Sequence, residues 1–150
     1  MGRKFTEKET QLFLQSIQDF AVENHKVLVQ IMELRAVAES CTVRTDKESV
    51  QSSASDKMSN IVGRIVDLER EIYQREKVIK HRRAQFEEIS KKMSNDRERD
   101  FLTIRYFDGN GFYDTAMLMD LSDSTAKRIH RSAIKEFTIL FNESHQTHNI

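Results

Sequence analysis

No proline interrupts these 150 residues, and two of the four glycines, Gly109 and Gly111, stand almost side by side. Sheets and tight turns draw on both residue types at their corners. A chain so poor in breakers is therefore expected to be all-α. Charged residues make up 32% of the chain, with 24 basic against 24 acidic. A disordered chain combines few apolar residues with a net charge, and this one has neither property. High charge density with recurring Leu, Ile, Val, Phe and Met instead suits long helices with a narrow apolar stripe.

Two such stripes are legible. From Thr6 to Cys41, apolar residues fall at Phe13, Ile17, Phe20, Val27, Ile31, Leu34 and Ala38, with Asn24 in the one gap. From Lys57 to Met93, they fall at Met58, Ile61, Ile65, Leu68, Ile72, Ile79, Phe86 and Ile89, with Arg75 and Arg82 on the seam. Alternating steps of three and four are a heptad seam. Thr6 and Glu9 form a capping-box pair before the first segment, and Ser55-Asp56 is a candidate cap for the second. Between them, residues 42–56 are polar and serine-rich, and read as a flexible loop. At roughly 50 Å each, the two segments fit a long antiparallel helical hairpin over residues 1–93. The same seams fit pairing with a second chain, and the pattern leaves both open. Asn24 is expected to set register, and Cys41 to lie half-buried at a helix end. Arg75 and Arg82 are expected to pair with acids of the facing helix, or to mark where that helix stops.

The pattern changes at Met93-Ser94-Asn95-Asp96, where Ser94 or Asn95 is a candidate N-cap for a new helix. Asp108 to Gly111 breaks the chain again, read as a helix-to-helix connection with glycine at its C′ position. The stretch from Phe112 to Arg131 then has the spacing of a helix-turn-helix. Ala116 supplies the small residue at the helix crossing, and Met119, Leu121, Ala126 and Ile129 follow at buried positions. Ser122 or Ser124 can cap the second helix. The DNA-contacting candidates are Ser122, Asp123, Ser124, Thr125, Lys127, Arg128, Arg131 and Lys135. Arg and Lys suit phosphate contacts or guanine readout, and Ser and Thr donate to either. From Ser122 to Phe137, four cations face two acids, Asp123 and Glu136, in a chain that is neutral overall.

Asp96 to Phe137 resembles region 4 of bacterial sigma-70-type factors. The residues that carry the likeness are Ile104-Arg105-Tyr106, Gly109 to Gly111, Thr115-Ala116, Met119-Asp120, Ser122, Thr125-Ala126 and Arg128 to Arg131. With a long helical hairpin before it, the chain resembles small phage- and prophage-encoded regulators with such a C-terminus. The resemblance implies a helix-turn-helix domain over 94–142, and the polar tail over 143–150 reads as frayed. It departs from the family pattern at Asp120, where glycine is usual in the turn, and at Ala126, where Val or Ile is usual.

Other chemistry finds little support in the sequence. One cysteine, Cys41, excludes an intramolecular disulfide and a multi-cysteine zinc site. His25, His81, His130, His145 and His148 lack the spacing of a metal site. No glycine-rich phosphate loop or nucleophile–base pairing is present, so neither an enzyme nor a cofactor nor a small-molecule substrate is expected. No apolar run nears the roughly 20 residues that span a bilayer, and the cytoplasm is the expected location. The basic run Arg75, Lys77, Lys80, His81, Arg82 and Arg83 reads as a solvated helix face or as a second phosphate- or polymerase-contacting surface. The expectation is a sequence-specific transcriptional regulator that binds double-stranded DNA as a homodimer, with RNA polymerase as a candidate second partner. The alternative is a coiled-coil adaptor that binds another protein without touching DNA.

Overall fold

The computed structural model describes residues 3–44 and 51–147, and every described element is helical. Five helices follow one another: α1 (Glu7–Arg44), α2 (Gln51–Ser90), α3 (Asp96–Leu102), α4 (Phe112–Leu118) and α5 (Asp123–Thr147). Between α3 and α4, Thr103–Phe107 continues as a π-helical turn. Among the described residues, no helix is long and apolar enough to cross a membrane. Contacts group the chain into two compact units, residues 20–79 and residues 1–19 with 80–150.

The unit of residues 20–79 is a pair of antiparallel helices. Val27, Ile31 and Leu68 are buried at its centre, with Leu34, Ile65 and Ile72 packed around them. Asn24 fills its seam position by donating from Nδ2 to the Ile72 carbonyl at 3.3 Å, which ties the register of the two helices at that level. Arg75 does not pair with the facing helix. It reaches Glu71, one turn back on its own helix, at 3.6 Å, because the carboxylate nearest a seam arginine lies at the i−4 position. Across the flank, Arg35 meets Glu69 at 2.9 Å. Leu28 and Val62 lie one heptad before these two partners, so they flank the same side. With Met32, Val66 and Tyr73, they leave five large apolar side chains about half exposed.

The polar loop expected over 42–56 is shorter than its composition implies. Residues 42–44 belong to α1 and 51–56 to α2, so Ser55-Asp56 caps nothing, and 45–50 lie outside the described residues. Extending an existing helix adds a hydrogen bond for each residue fixed, so serine-rich ends can join helices nucleated elsewhere.

The other unit is built largely of phenylalanine. Phe86 stacks on Phe107 and Phe137 with centroids 5.6 and 5.7 Å away, and Phe141 meets Phe5 edge-on at 4.9 Å. The start of α1 is fastened to α5. The side-chain amide of Asn142 donates to the Phe5 carbonyl at 3.0 Å, and its oxygen accepts the Phe5 N–H at 2.8 Å. The buried hydroxyls of Thr10 and Thr138 lie 2.8 Å apart. Thr6 caps α1 by accepting the Glu9 N–H at 3.2 Å. These contacts explain why 143–147 is helical rather than frayed: His145 lies over Phe141, its Nδ1 2.9 Å from the Phe141 carbonyl. Residues 148–150 of that expected tail lie outside the described residues.

Candidate nucleic-acid interface

Asn95 caps α3, its side-chain oxygen accepting the N–H groups of Arg97 and Glu98 at 3.0 and 3.1 Å. In the π-helical turn, the Asp108 N–H reaches back five residues to the Thr103 carbonyl. This wider turn separates two neighbouring rings: Tyr106 bonds His130, whereas Phe107 stacks on Phe86. Gly109, at φ 82°, then redirects the chain in a conformation that favours glycine.

A helix, a turn and a helix follow. The Leu121 N–H bonds the Ala116 carbonyl at 2.8 Å, and the Asp120 N–H bonds the Met117 carbonyl at 3.1 Å. These two bonds, with Asp120 left-handed at φ 56°, make a Schellman ending for α4. Aspartate tolerates this conformation better than most non-glycine residues. Ser122 then caps α5 by accepting the Thr125 N–H at 3.3 Å. Ala116, Ala126 and Ile129 are buried with Phe101 in one cluster, against which Phe112, Met119 and Leu121 pack. The five positions expected to be interior in this stretch therefore meet, and Phe101 is the side chain they close upon.

That packing fixes which way α5 faces. Ser122, Asp123, Ser124, Lys127, Arg128, Arg131 and Lys135 are exposed, and Thr125 is half-buried. Ser122 and Thr125 are also bonded to each other, Oγ to Oγ1 at 2.9 Å, so both serve the cap. Among the described residues, no ion pair engages Lys127, Arg128, Arg131 or Lys135. The nearby acid Glu136 is already committed. The Ser94 backbone N–H bonds it at 2.8 Å and the Ser94 hydroxyl at 2.9 Å. The backbone bond, more than the other contacts, holds the carboxyl below its ordinary pKa.

Four arginines elsewhere in this unit, Arg82, Arg83, Arg99 and Arg105, turn inward, whereas Arg3 and Arg97 are exposed. Arg99 donates to the Ser90 and Met93 carbonyls. Arg105 donates to the Asn110 carbonyl and to Gln15, and lies over the Tyr106 ring. Two members of the basic run do likewise. Arg82 bonds Ser16, and Arg83 bonds the Phe107 carbonyl at 2.9 Å while lying 4.3 Å from that ring's centroid. Arg82 and Arg83 thus act as internal fasteners.

Behind the exposed ridge, the Tyr106 hydroxyl and His130 Nε2 lie 2.7 Å apart. Phe101, Tyr106 and Phe112 surround the imidazole with centroids at 5.7 to 5.8 Å. Burial, and then the Arg105 charge, push the His130 pKa down, while burial pushes that of Tyr106 up. A protonated phenol can then donate to a neutral imidazole, a pairing that cements the back of α5.

Two grooves border the ridge. One, of about 520 Å³, lies between the start of α1 and the front half of α5 beyond its first turn, and is lined by Glu7, Lys8, Gln11, Lys127, His130 and Arg131, among others. The second, of about 260 Å³, is lined by Asn95, Arg97, Glu98, Arg128 and Ser132. Lys8 and Arg97 are absent from the expected contact residues because only tertiary packing places them here. On α4, Tyr113, Met117 and Leu118 are about two-thirds exposed or more. Among the described residues, no three His, Cys, Asp or Glu side chains converge as a metal would require. No family model matches the chain, and no curated protein or solved structure is significantly similar to it.

Proposed function

We propose that this protein is a DNA-binding transcriptional regulator in which α4, the turn and α5 act as a helix-turn-helix. The observation that carries this reading is the ridge of Lys127, Arg128, Arg131 and Lys135. It is exposed and, among the described residues, free of ion pairs, whereas Arg82, Arg83, Arg99 and Arg105 of the same unit bond inward. In the proposed mode, the first half of α5 enters the major groove, and the cations contact phosphates or guanine edges. The likeness of residues 96–137 to sigma region 4, and hence a phage or mobile-element origin, belongs to the same proposal. One such module offers little interface for strong specificity, so the active species is a homodimer on two half-sites. The half-exposed flank of Leu28, Met32, Val62, Val66 and Tyr73 supports pairing through the helical hairpin.

The adaptor reading also rests on a specific observation: α4 exposes Tyr113, Met117 and Leu118 together. A surface of that kind suits a protein partner, RNA polymerase being the candidate. The two readings separate by salt. Four phosphate contacts per subunit give a slope of about −3.6 in log K against log salt, or roughly a 150-fold loss between 50 and 200 mM. The test is selection of duplexes from a random pool, followed by binding across that salt range. Arg128→Ala/Arg131→Ala should lose the selected sequence preference and about half of the slope. A folded wild-type protein that binds no duplex at low salt overturns the DNA reading in favour of the adaptor.

A further inference from the structure

We infer that the first turn of α1 is part of the DNA-binding surface, with Lys8 contacting a phosphate across the groove from Lys127 and Arg131. This inference rests on the DNA-binding reading and adds to it a second wall, from a part of the chain more than a hundred residues away in sequence.

The groove between α1 and α5 has cations on both sides. Lys127 and Arg131 are four residues apart and share one face of α5, while Lys8 and Gln11 are three apart and share one face of α1. Three basic side chains thus line one trough with a single acid, Glu7. Among the described residues, Lys8, Lys127 and Arg131 take part in no ion pair, whereas nearby Arg3 is held by Glu9 at 3.2 Å. Positive side chains on two facing walls, left without internal partners, are matched by an anion lying between them. Because Lys127 and Arg131 belong to the ridge and the trough at once, a strand lying in the trough runs beside any duplex on the ridge. The matching anion is therefore the sugar–phosphate backbone bordering that groove.

The wall is also preorganised. The Asn142–Phe5 amide pairing, the Thr10–Thr138 contact and the Thr6 cap hold the turn that bears Lys8. Only the lysine side chain itself has to be ordered on binding, which keeps the entropic cost of the contact small.

The test uses full-length Lys8→Ala, Lys8→Arg and Glu7→Gln, with thermal melts to establish folding. Binding to a selected duplex and to an unrelated duplex is measured across a salt series. Lys8→Ala should lower the magnitude of the salt slope by about 0.9 per bound subunit, and weaken both duplexes by roughly five-fold per subunit near 150 mM salt. The ratio between the duplexes should stay unchanged, because a phosphate contact positions without specifying. Lys8→Arg should restore the slope, and Glu7→Gln should tighten both duplexes. A wild-type slope in Lys8→Ala, with wild-type DNA binding intact, overturns this inference and leaves the DNA reading standing. Absence of DNA binding in the wild-type protein overturns both.

Discussion

Phe101→Ala tests whether the packing that aims α5 is the packing described above. Phe101 is fully buried and meets Phe112 and His130 with centroids 5.7 Å away. Trimming a buried phenylalanine to alanine removes about 100 Å² of apolar burial, or ~2.5 kcal/mol at 25 cal/mol per Å². Two lost aromatic contacts add about 0.5 to 1 kcal/mol each. The total, about 4 kcal/mol, falls within the 3–5 kcal/mol typical of such truncations. It is a large part of the 5–15 kcal/mol that holds an ordinary domain. The measurements are denaturant unfolding and residue-resolved hydrogen exchange. Amides of residues 96–135 should lose protection, whereas those around Val27, Ile31 and Leu68, which form a separate cluster, should keep it. Phe101→Leu should cost about half as much. A loss below about 1.5 kcal/mol for the alanine variant, with α4 and α5 still protected, would refute the keystone role of Phe101.

Two further outcomes are expected. Asp120→Val should destabilise by about 2 kcal/mol, because a β-branched residue is poorly suited to φ 56°. Asp120→Gly should stay within about 0.5 kcal/mol of wild type in the same chemical melts, since backbone relief and the added freedom of the unfolded chain nearly cancel; equal losses from both would contradict the left-handed turn. His130 has its pKa lowered by burial, so below about pH 6.5 the unfolded chain binds a proton that the folded one resists. Stability should therefore be full above that pH and fall as pH drops below it. His130→Gln should show less of this acid-side loss in parallel melts, and identical profiles would mean that His130 titrates as it does in the unfolded chain.

Periodic features were the legible ones. Heptad steps such as Val27, Ile31 and Leu34 report a helix face directly, because one side must be apolar for the helix to pack at all. The spacing from Ala116 to Ile129 was readable for the same reason, and the cap at Ser122 is local chemistry. What escaped depends on partners distant in sequence. Arg83 read as part of a basic helix face, and Arg82 as a seam residue awaiting an acid of the facing helix, yet Ser16, Phe13 and the Phe107 carbonyl are what draw them inward. The tail looked frayed because Asn142 finds its partner in Phe5, 137 positions earlier. Lys8 carried no signal at all, since a lone lysine in a helix's first turn matches countless solvated ones.

The 25-residue α5 has one more consequence. At 1.5 Å per residue it is a rod about 37 Å long, and no break divides it. Its front half bears the cationic ridge, and its rear half is bolted to Phe5, Phe13 and Phe86 through Phe137 and Phe141. The rod is therefore a tiller: the pitch of the ridge is steered from residues that never approach a ligand. Substitutions at Phe137 or Phe141 can swing the ridge by changing how the stern is seated, leaving every side chain on it intact.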